Sequence, residues 1–301
     1  MENKHAYLIL AHNEFSILEK LIILLDDPRN DIYIHINKKV KDFDFAYFRK
    51  LPKKSNIYFV KQIIVSWGHY SQIEAELILL DEAIKKEYKY YHYISGVDLP
   101  IKPQNEIHRF FLENDGKEFV HFFSVEDSER AKYRVKYYHF IKWIKDKNKL
   151  ISFLEHVLRK ITYTIEDIFK LYRRWEKEIE LRKGAHGFSI THDLAQYILS
   201  KKKWIKKRFK YTFCGDEIFL QTLVYNSNFK NNLYDKEMKD DYSACLRAVD
   251  WKRGEPYVYR VQDFYELINS NKFFARKFSA EIDNEIIIKI FEYINNLQNN
   301  Q

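Results

Sequence analysis

Cysteine is almost absent: Cys214 and Cys245 are the only two in 301 residues. That scarcity excludes a disulfide-built scaffold and, with no spaced Cys/His cluster, a structural zinc site. It suits a reducing compartment. No stretch approaches the roughly 18–20 apolar residues needed to cross a bilayer. The chain opens Met1-Glu2-Asn3-Lys4 and runs directly into a strand-like segment, without the charged, apolar and cleavage regions of a signal peptide. A soluble, cytoplasmic protein is therefore expected. Internal repeats and low-complexity tracts are also missing, and residues 126–183 contain neither proline nor glycine.

Apolar residues, by contrast, make up 46% of the chain, enough for a sizeable core. Aromatics reach 17%, with 23 Tyr and 23 Phe. Part of that excess travels with abundant Lys, Asn and Ile, and part fits sugar stacking, to which the flat face and polar tip of tyrosine are suited. The net charge is +8. Its densest patch is Lys201-Lys202-Lys203-Trp204-Ile205-Lys206-Lys207-Arg208-Phe209-Lys210, either a solvated helix face or loop, or a contact with an anionic membrane surface. No nucleic-acid motif accompanies the charge, so a nucleic-acid partner is not expected.

Along the chain, His5–His12 is a continuous apolar run of the kind that forms a strand buried on both faces. A helix is expected over Phe15–Leu25, strands over Asp31–Ile36 and Asn56–Val60, a helix over Ser71–Ala83, and a strand over Tyr90–Ser95. This order predicts a mainly parallel α/β fold, in which ligands bind beyond the carboxyl ends of the strands. His12, Asn37, Trp67 and Asp98 fall at those ends or in the loops after them, and are candidate nucleotide contacts. Residues 126–183 read as a helical insertion within one domain spanning 1–301, because no linker composition flanks them. A helix over Asp193–Ser200 follows, then Gly215-Asp216-Glu217 opening a helix whose apolar face is Ile218, Phe219, Leu223 and Val224.

Acidic residues at a helix start are favoured by the peptide dipole alone. The chemical alternative is a general base that takes a proton from an attacking hydroxyl, with Glu217 the first candidate and Asp216 the second. Phe273-Phe274-Ala275-Arg276-Lys277-Phe278 sets two cations inside an aromatic segment, and Arg260 lies upstream. Such cations either snorkel at the surface or stabilise charge developing on a departing diphosphate. The one Asp-x-Asp triplet, Asp42-Phe43-Asp44, sits in a charged segment after the second strand, a poor setting for a divalent ion. The strand end at Val97-Asp98-Leu99 offers a lone carboxylate. No metal site and no cofactor are expected.

Taken together, Ala6-Tyr7-Leu8-Ile9-Leu10-Ala11-His12-Asn13, Trp67-Gly68-His69-Tyr70-Ser71, Ile94-Ser95-Gly96-Val97-Asp98-Leu99-Pro100-Ile101-Lys102, Gly215-Asp216-Glu217, Val249-Asp250-Trp251 and Phe273–Phe278 span almost the whole chain. In that order they resemble the core-2/I-branching β-1,6-N-acetylglucosaminyltransferases and peptide O-xylosyltransferases, glycosyltransferase family 14, in a compact bacterial form. The resemblance implies a GT-A-like, Rossmann-type fold, a UDP-sugar donor, inversion at the anomeric carbon and no metal requirement. It makes Glu217 the catalytic base and Lys277 the lysine that neutralises the diphosphate, with Arg260 or Arg276 as its partner. Trp251 and Arg134, with Asp216, become acceptor contacts. Asn37 departs from the family pattern, standing where an aspartate is expected.

The implied product is a surface polysaccharide, capsule or glycoprotein glycan, with a glycan or glycolipid as acceptor and N-acetylglucosamine or xylose as the class of sugar. The competing reading is a non-catalytic glycan- or phosphate-binding protein that keeps the fold.

Overall fold

The computed structural model describes residues 3–139 and 149–300. In chain order its elements are β1 (His5–Ala11), α1 (Phe15–Leu24), β2 (Asn30–Ile36), α2 (Phe45–Arg49), β3 (Asn56–Phe59), α3 (Ser71–Ala83), β4 (Tyr90–Ser95) and β5 (Leu99–Pro100). There follow α4 (Gln104–Glu113), α5 (Val125–Lys136), α6 (Lys149–Ile168), β6 (Phe188–Thr191), α7 (His192–Ser200) and α8 (Lys202–Phe209). The chain ends with α9 (Phe219–Tyr225), β7 (Arg247–Val249), α10 (Phe264–Asn269), β8 (Phe274–Arg276) and α11 (Asn284–Asn299).

The main sheet has the order β3-β2-β1-β4-β6. Its first four strands are parallel and β6 is antiparallel to β4. The parallel α/β expectation holds, and the near-continuous apolar runs are explained by burial on both faces. Side chains alternate as strand geometry requires. Tyr7, Ile9, Ala11, Ile32, Ile34 and Ile36 enter one core with α1, α4 and α11. Ala6, Leu8, Tyr33, Tyr91 and Tyr93 enter the other, with α3, α7, α8 and α9.

A second, small sheet, β5-β8-β7, lies past the carboxyl end of β4. The antiparallel pair Leu99↔Ala275 sets Asp98 beside Arg276, and the parallel pair Val249↔Arg276 brings in the strand that leads to Trp251.

The helical stretch expected over 126–183 is only partly helical, and its residues 140–148 lie outside the described residues. Helices α5 and α6 are its helical part. After α6, Lys170 takes a left-handed conformation. The backbone beyond then bonds to other elements instead of to itself: Arg173 N to Lys136 O (3.0 Å), Lys183 N to Ser128 Oγ (3.1 Å) and Gly184 N to Glu217 O (2.9 Å). Tertiary partners here override a helix-favouring composition.

Histidines are used as neutral core groups. His35 Nε2 accepts the Ile63 N–H at 3.0 Å, and His121 Nδ1 accepts the Ala185 N–H at 3.1 Å. An accepting ring nitrogen carries no proton. His5, His92 and His108 pack together, with His92 Nε2 3.0 Å from His5 Nδ1. Burial pushes the pKa of His35, His108, His121 and His139 down to about 4, and holds His5 and His92 well below the ordinary histidine value.

Candidate active site

At the carboxyl edge of the sheet, β1 delivers His12, β2 delivers Asn37 and β4 delivers Asp98. His12 is exposed. Partial burial of its ring, and then the Lys277 cation, push its pKa down. Lys277 is fixed by its neighbours: its carbonyl accepts from Tyr259 N at 3.0 Å, and Phe278 N donates to Val97 O at 3.4 Å. Glu14, in a left-handed turn after His12, accepts from Ser279 Oγ at 2.6 Å and from Ala280 N at 3.2 Å. The 277–280 segment is thereby pinned to the end of β1.

Asp98 is buried, accepts the Ser95 N–H at 3.0 Å, and lies 3.6 Å from Arg276 Nε. Burial raises its pKa against the pull of Arg276. Arg276, Lys277 and Asp98 thus form one group with His12. Arg260 is exposed and follows directly on Tyr259, whose N–H bonds the Lys277 carbonyl. Asn37 is occupied differently from the other candidates. Its side chain donates to Val65 O (2.9 Å) and accepts from Val65 N (3.2 Å) and Lys39 N (3.1 Å). An aspartate could accept those N–H groups but could not donate to the carbonyl, which accounts for the amide at this position.

Gly215–Glu217 form a 3₁₀ turn instead of the first turn of a continuous helix. Cys214 is left-handed, its N–H bonds Gly68 O at 2.8 Å, and the helix restarts at Phe219. Gly68 needs its positive φ of 68°, and a Cβ there would lie 2.5 Å from the Phe213 ring. The expected apolar face, Ile218, Phe219, Leu223 and Val224, is buried.

This turn holds Glu217 about one-third exposed (side chain 32%), whereas Asp216 is buried at 8%. Two cations meet Glu217 Oε2: Arg134 Nη1 at 2.8 Å and Lys183 Nζ at 3.6 Å. Arg134 also lies over the Phe213 ring, and Trp67, itself exposed, meets that ring edge-on at 5.5 Å. Trp67 is thereby linked through Phe213 to Arg134 and Glu217.

Asp216 Oδ2 accepts from Gln72 Nε2 at 3.2 Å and lies 3.2 Å from His186 Nδ1. The Tyr93 ring, fully buried, packs against His186 and feels both Asp216 and Asp98. Beneath them Glu76, one helical turn beyond Gln72 on α3, is 1% exposed, and burial, then Asp216, raise its pKa well above the usual carboxyl range. Arg276 pairs with Asp98 in one half of the site and His186 with Asp216 in the other, and Asp98 feels His186 electrostatically. On the rim Trp251, 52% exposed, donates to Tyr242 OH at 2.6 Å, and Tyr242 stacks on His121.

Lys183, His186, Gln72 and Glu76 were not foreseen from sequence, and of the four only His186 sits in a conspicuous motif, Gly184-Ala185-His186-Gly187. Gly184 is tightly enclosed: an added Cβ would stand 1.9 Å from the His121 carbonyl oxygen. Gly184→Ala is expected to cost about 1–3 kcal/mol, as overpacking does, and to lower the melting temperature by roughly 2–5 °C in a thermal denaturation scan. Asp44, from the Asp-x-Asp triplet, caps α2 by accepting from Tyr47 N at 2.9 Å.

The family model described as Core-2/I-Branching enzyme matches residues 5–272. The chain is 22% identical to xylosyltransferase sqv-6 of Caenorhabditis briggsae over 86% of its own length and 33% of that protein's. It is 22% identical to the human β-1,3-galactosyl-O-glycosyl-glycoprotein β-1,6-N-acetylglucosaminyltransferase over 92% of this chain and 66% of that one. It thus spans one third to two thirds of the length of these relatives. A solved structure, apo mouse xyloside xylosyltransferase 1, aligns over 90% of this chain and 96% of that one, at 10% identity and a TM-score of 0.37. With 5–272 covered by the family model, the chain belongs to the Core-2/I-Branching enzyme family of glycosyltransferases.

Proposed function

We propose that this chain transfers a sugar, of the N-acetylglucosamine or xylose class, from a UDP-sugar to an acceptor hydroxyl, with inversion and without a metal ion. The observation that carries this reading is a half-open carboxylate, Glu217, next to Asp216, and an arginine–lysine pair, Arg276 and Lys277, with Arg276 paired to Asp98, His186 paired to Asp216, and Asp98 within the electrostatic reach of His186. The relatives named above supply the sugar classes, and the acceptor proposed is a glycan or glycolipid in surface polysaccharide, capsule or glycoprotein glycan assembly. Both cysteines are free and buried, which fits a cytoplasmic setting.

In this reading the acceptor hydroxyl gives its proton to Glu217 as its oxygen attacks the anomeric carbon on the face opposite UDP. The bond from that carbon to the diphosphate oxygen breaks, and its electron pair leaves with UDP. Lys277, with Arg276 and Arg260, meets the charge that develops there, the task a divalent cation performs in other transferases. Glu217 fits the base better than Asp216 because it is open to an acceptor, while Asp216 is buried against Gln72 and His186. Trp251 and Trp67 present exposed aromatic faces at the rim for sugar rings. Val65 and Lys39 hold the Asn37 amide in place, so its contact with the nucleoside would come from the second N–H of that amide.

A panel of UDP-sugars tests the donor assignment by thermal stabilisation. A bound donor at a hundredfold excess over its Kd adds about 2.7 kcal/mol of apparent stability, and no shift with any UDP compound would overturn the reading. Lys277→Ala is expected to lower kcat by roughly 10²–10³-fold, the usual loss for one oxyanion-stabilising group, as measured by UDP release with chelator present.

A further inference from the structure

Helix α6 is amphipathic in the reverse sense. Its polar side faces the protein: Tyr163 OH is 3.0 Å from His139 Nδ1, Glu166 accepts Tyr138 N at 3.0 Å, and Asp167 accepts Tyr137 OH at 2.8 Å. At 100° per residue the opposite side carries Leu154, Leu158, Ile161, Ile165 and Ile168. These residues, with Phe169, are between 44% and 68% exposed. Soluble surfaces seldom leave a stripe of this length uncovered. The helix, 20 residues long, does not qualify as a membrane span.

The segments on either side of α6 pack on the basic helix α8 and the turn after it. Arg208 Nη1 donates to Arg174 O at 2.6 Å, Arg173 Nη1 to Thr212 Oγ1 at 2.9 Å, and His139 N to Tyr211 O at 2.9 Å. From α8 and its flanks Lys203, Lys206, Lys207 and Lys210 point to solvent, as do Lys170 and Arg174 on the connecting segment. An apolar stripe with a cationic helix packed on the segment that follows it matches an anionic bilayer, whose acyl boundary takes the stripe and whose headgroups take the lysines. A second copy of the chain would bring the same cations instead of an anionic partner.

We infer that α6 lies in the plane of an anionic membrane surface, with its Leu158–Ile165 stripe buried at the acyl boundary and α8 against the headgroups. The inference goes beyond the transferase reading and rests on none of its residues. Sedimentation of the full chain with vesicles of phosphatidylcholine alone, or mixed with phosphatidylglycerol, tests it. Binding is expected only to the mixed vesicles and to weaken in high salt. The Leu158→Ser/Ile165→Ser variant is expected to bind roughly a hundredfold more weakly. Lys206→Glu/Lys207→Glu, which leaves the apolar stripe intact, is expected to bind at least about tenfold more weakly. UDP binding in solution stays unchanged in both. Failure of the wild-type chain to bind mixed vesicles overturns the inference. So does a wild-type dimer, seen by light scattering, that Leu158→Ser/Ile165→Ser converts to monomer.

Discussion

Glu217→Gln is expected to abolish sugar transfer while leaving UDP affinity within a few-fold of wild type. Removing a general base costs about 10²–10⁴ in rate, or roughly 3–5 kcal/mol of transition-state stabilisation. The substitution keeps the size of the side chain, and its amide oxygen still accepts from Arg134, whose Nη1 lies 2.8 Å from Oε2. The cations are also braced independently, Arg134 over the Phe213 ring and Lys183 over the Phe123 ring. The loss should therefore fall on turnover alone, read as UDP release beside a UDP titration. Were Glu217 only an anchor for Arg134 and Lys183, the amide would lower stability and UDP binding together. Asp216→Asn is the internal comparison: if it, and not Glu217→Gln, removes turnover, the base is Asp216.

The second large effect is acid unfolding. His5, His35, His92, His108, His121 and His139 are held neutral by burial, four of them with pKa near 4 and two well below the ordinary value. The unfolded chain takes up these protons near pH 6.5, so between about pH 6.5 and 4 it binds more protons than the native state and stability falls as pH falls. Each histidine removes on the order of 1 kcal/mol over the first pH unit. Four buried carboxyls act in the opposite direction. Glu118, which burial pushes up to about 7, with Glu76, Asp98 and Glu166, is stabilising while protonated and loses that contribution as pH rises. The six histidines, shifted furthest, leave a net loss on the order of a few kcal/mol by about pH 5, a large share of a typical total stability of about 5–15 kcal/mol. Tryptophan fluorescence or circular dichroism against pH should show cooperative unfolding that begins below pH 6.5. A chain that stays folded to pH 4 would mean that these imidazoles accept protons without cost.

The sheet was legible because its strands are buried on both faces and carry little besides apolar residues. β1, β2, β3 and β4 lie within a residue of the segments that sequence pattern marks, and α3 coincides with Ser71–Ala83. The small sheet was not legible, since β5, β7 and β8 are two or three residues long and are defined by partners remote in the chain. Helix α11 buries Ile286, Ile287, Ile290 and Ile294, whose spacing is that of a helix face.

Within the site, most residues marked from sequence stand at or just past strand ends or near a glycine, and Arg134, inside α5, and Arg260 do not. Those missed meet only through the fold: Gln72 and Asp216 are 144 residues apart, and Lys183 reaches Glu217 from a segment whose composition favoured helix. The reversed face of α6 was likewise invisible, because a hydrophobic period shows that a stripe exists and not which way it points.

The most direct test of the central claim is calorimetric titration of UDP into the full chain with excess chelator present. The account predicts saturable one-to-one binding in the micromolar range, weakened by Lys277→Ala and preserved in Glu217→Gln. Absence of binding until a divalent cation is restored would contradict it.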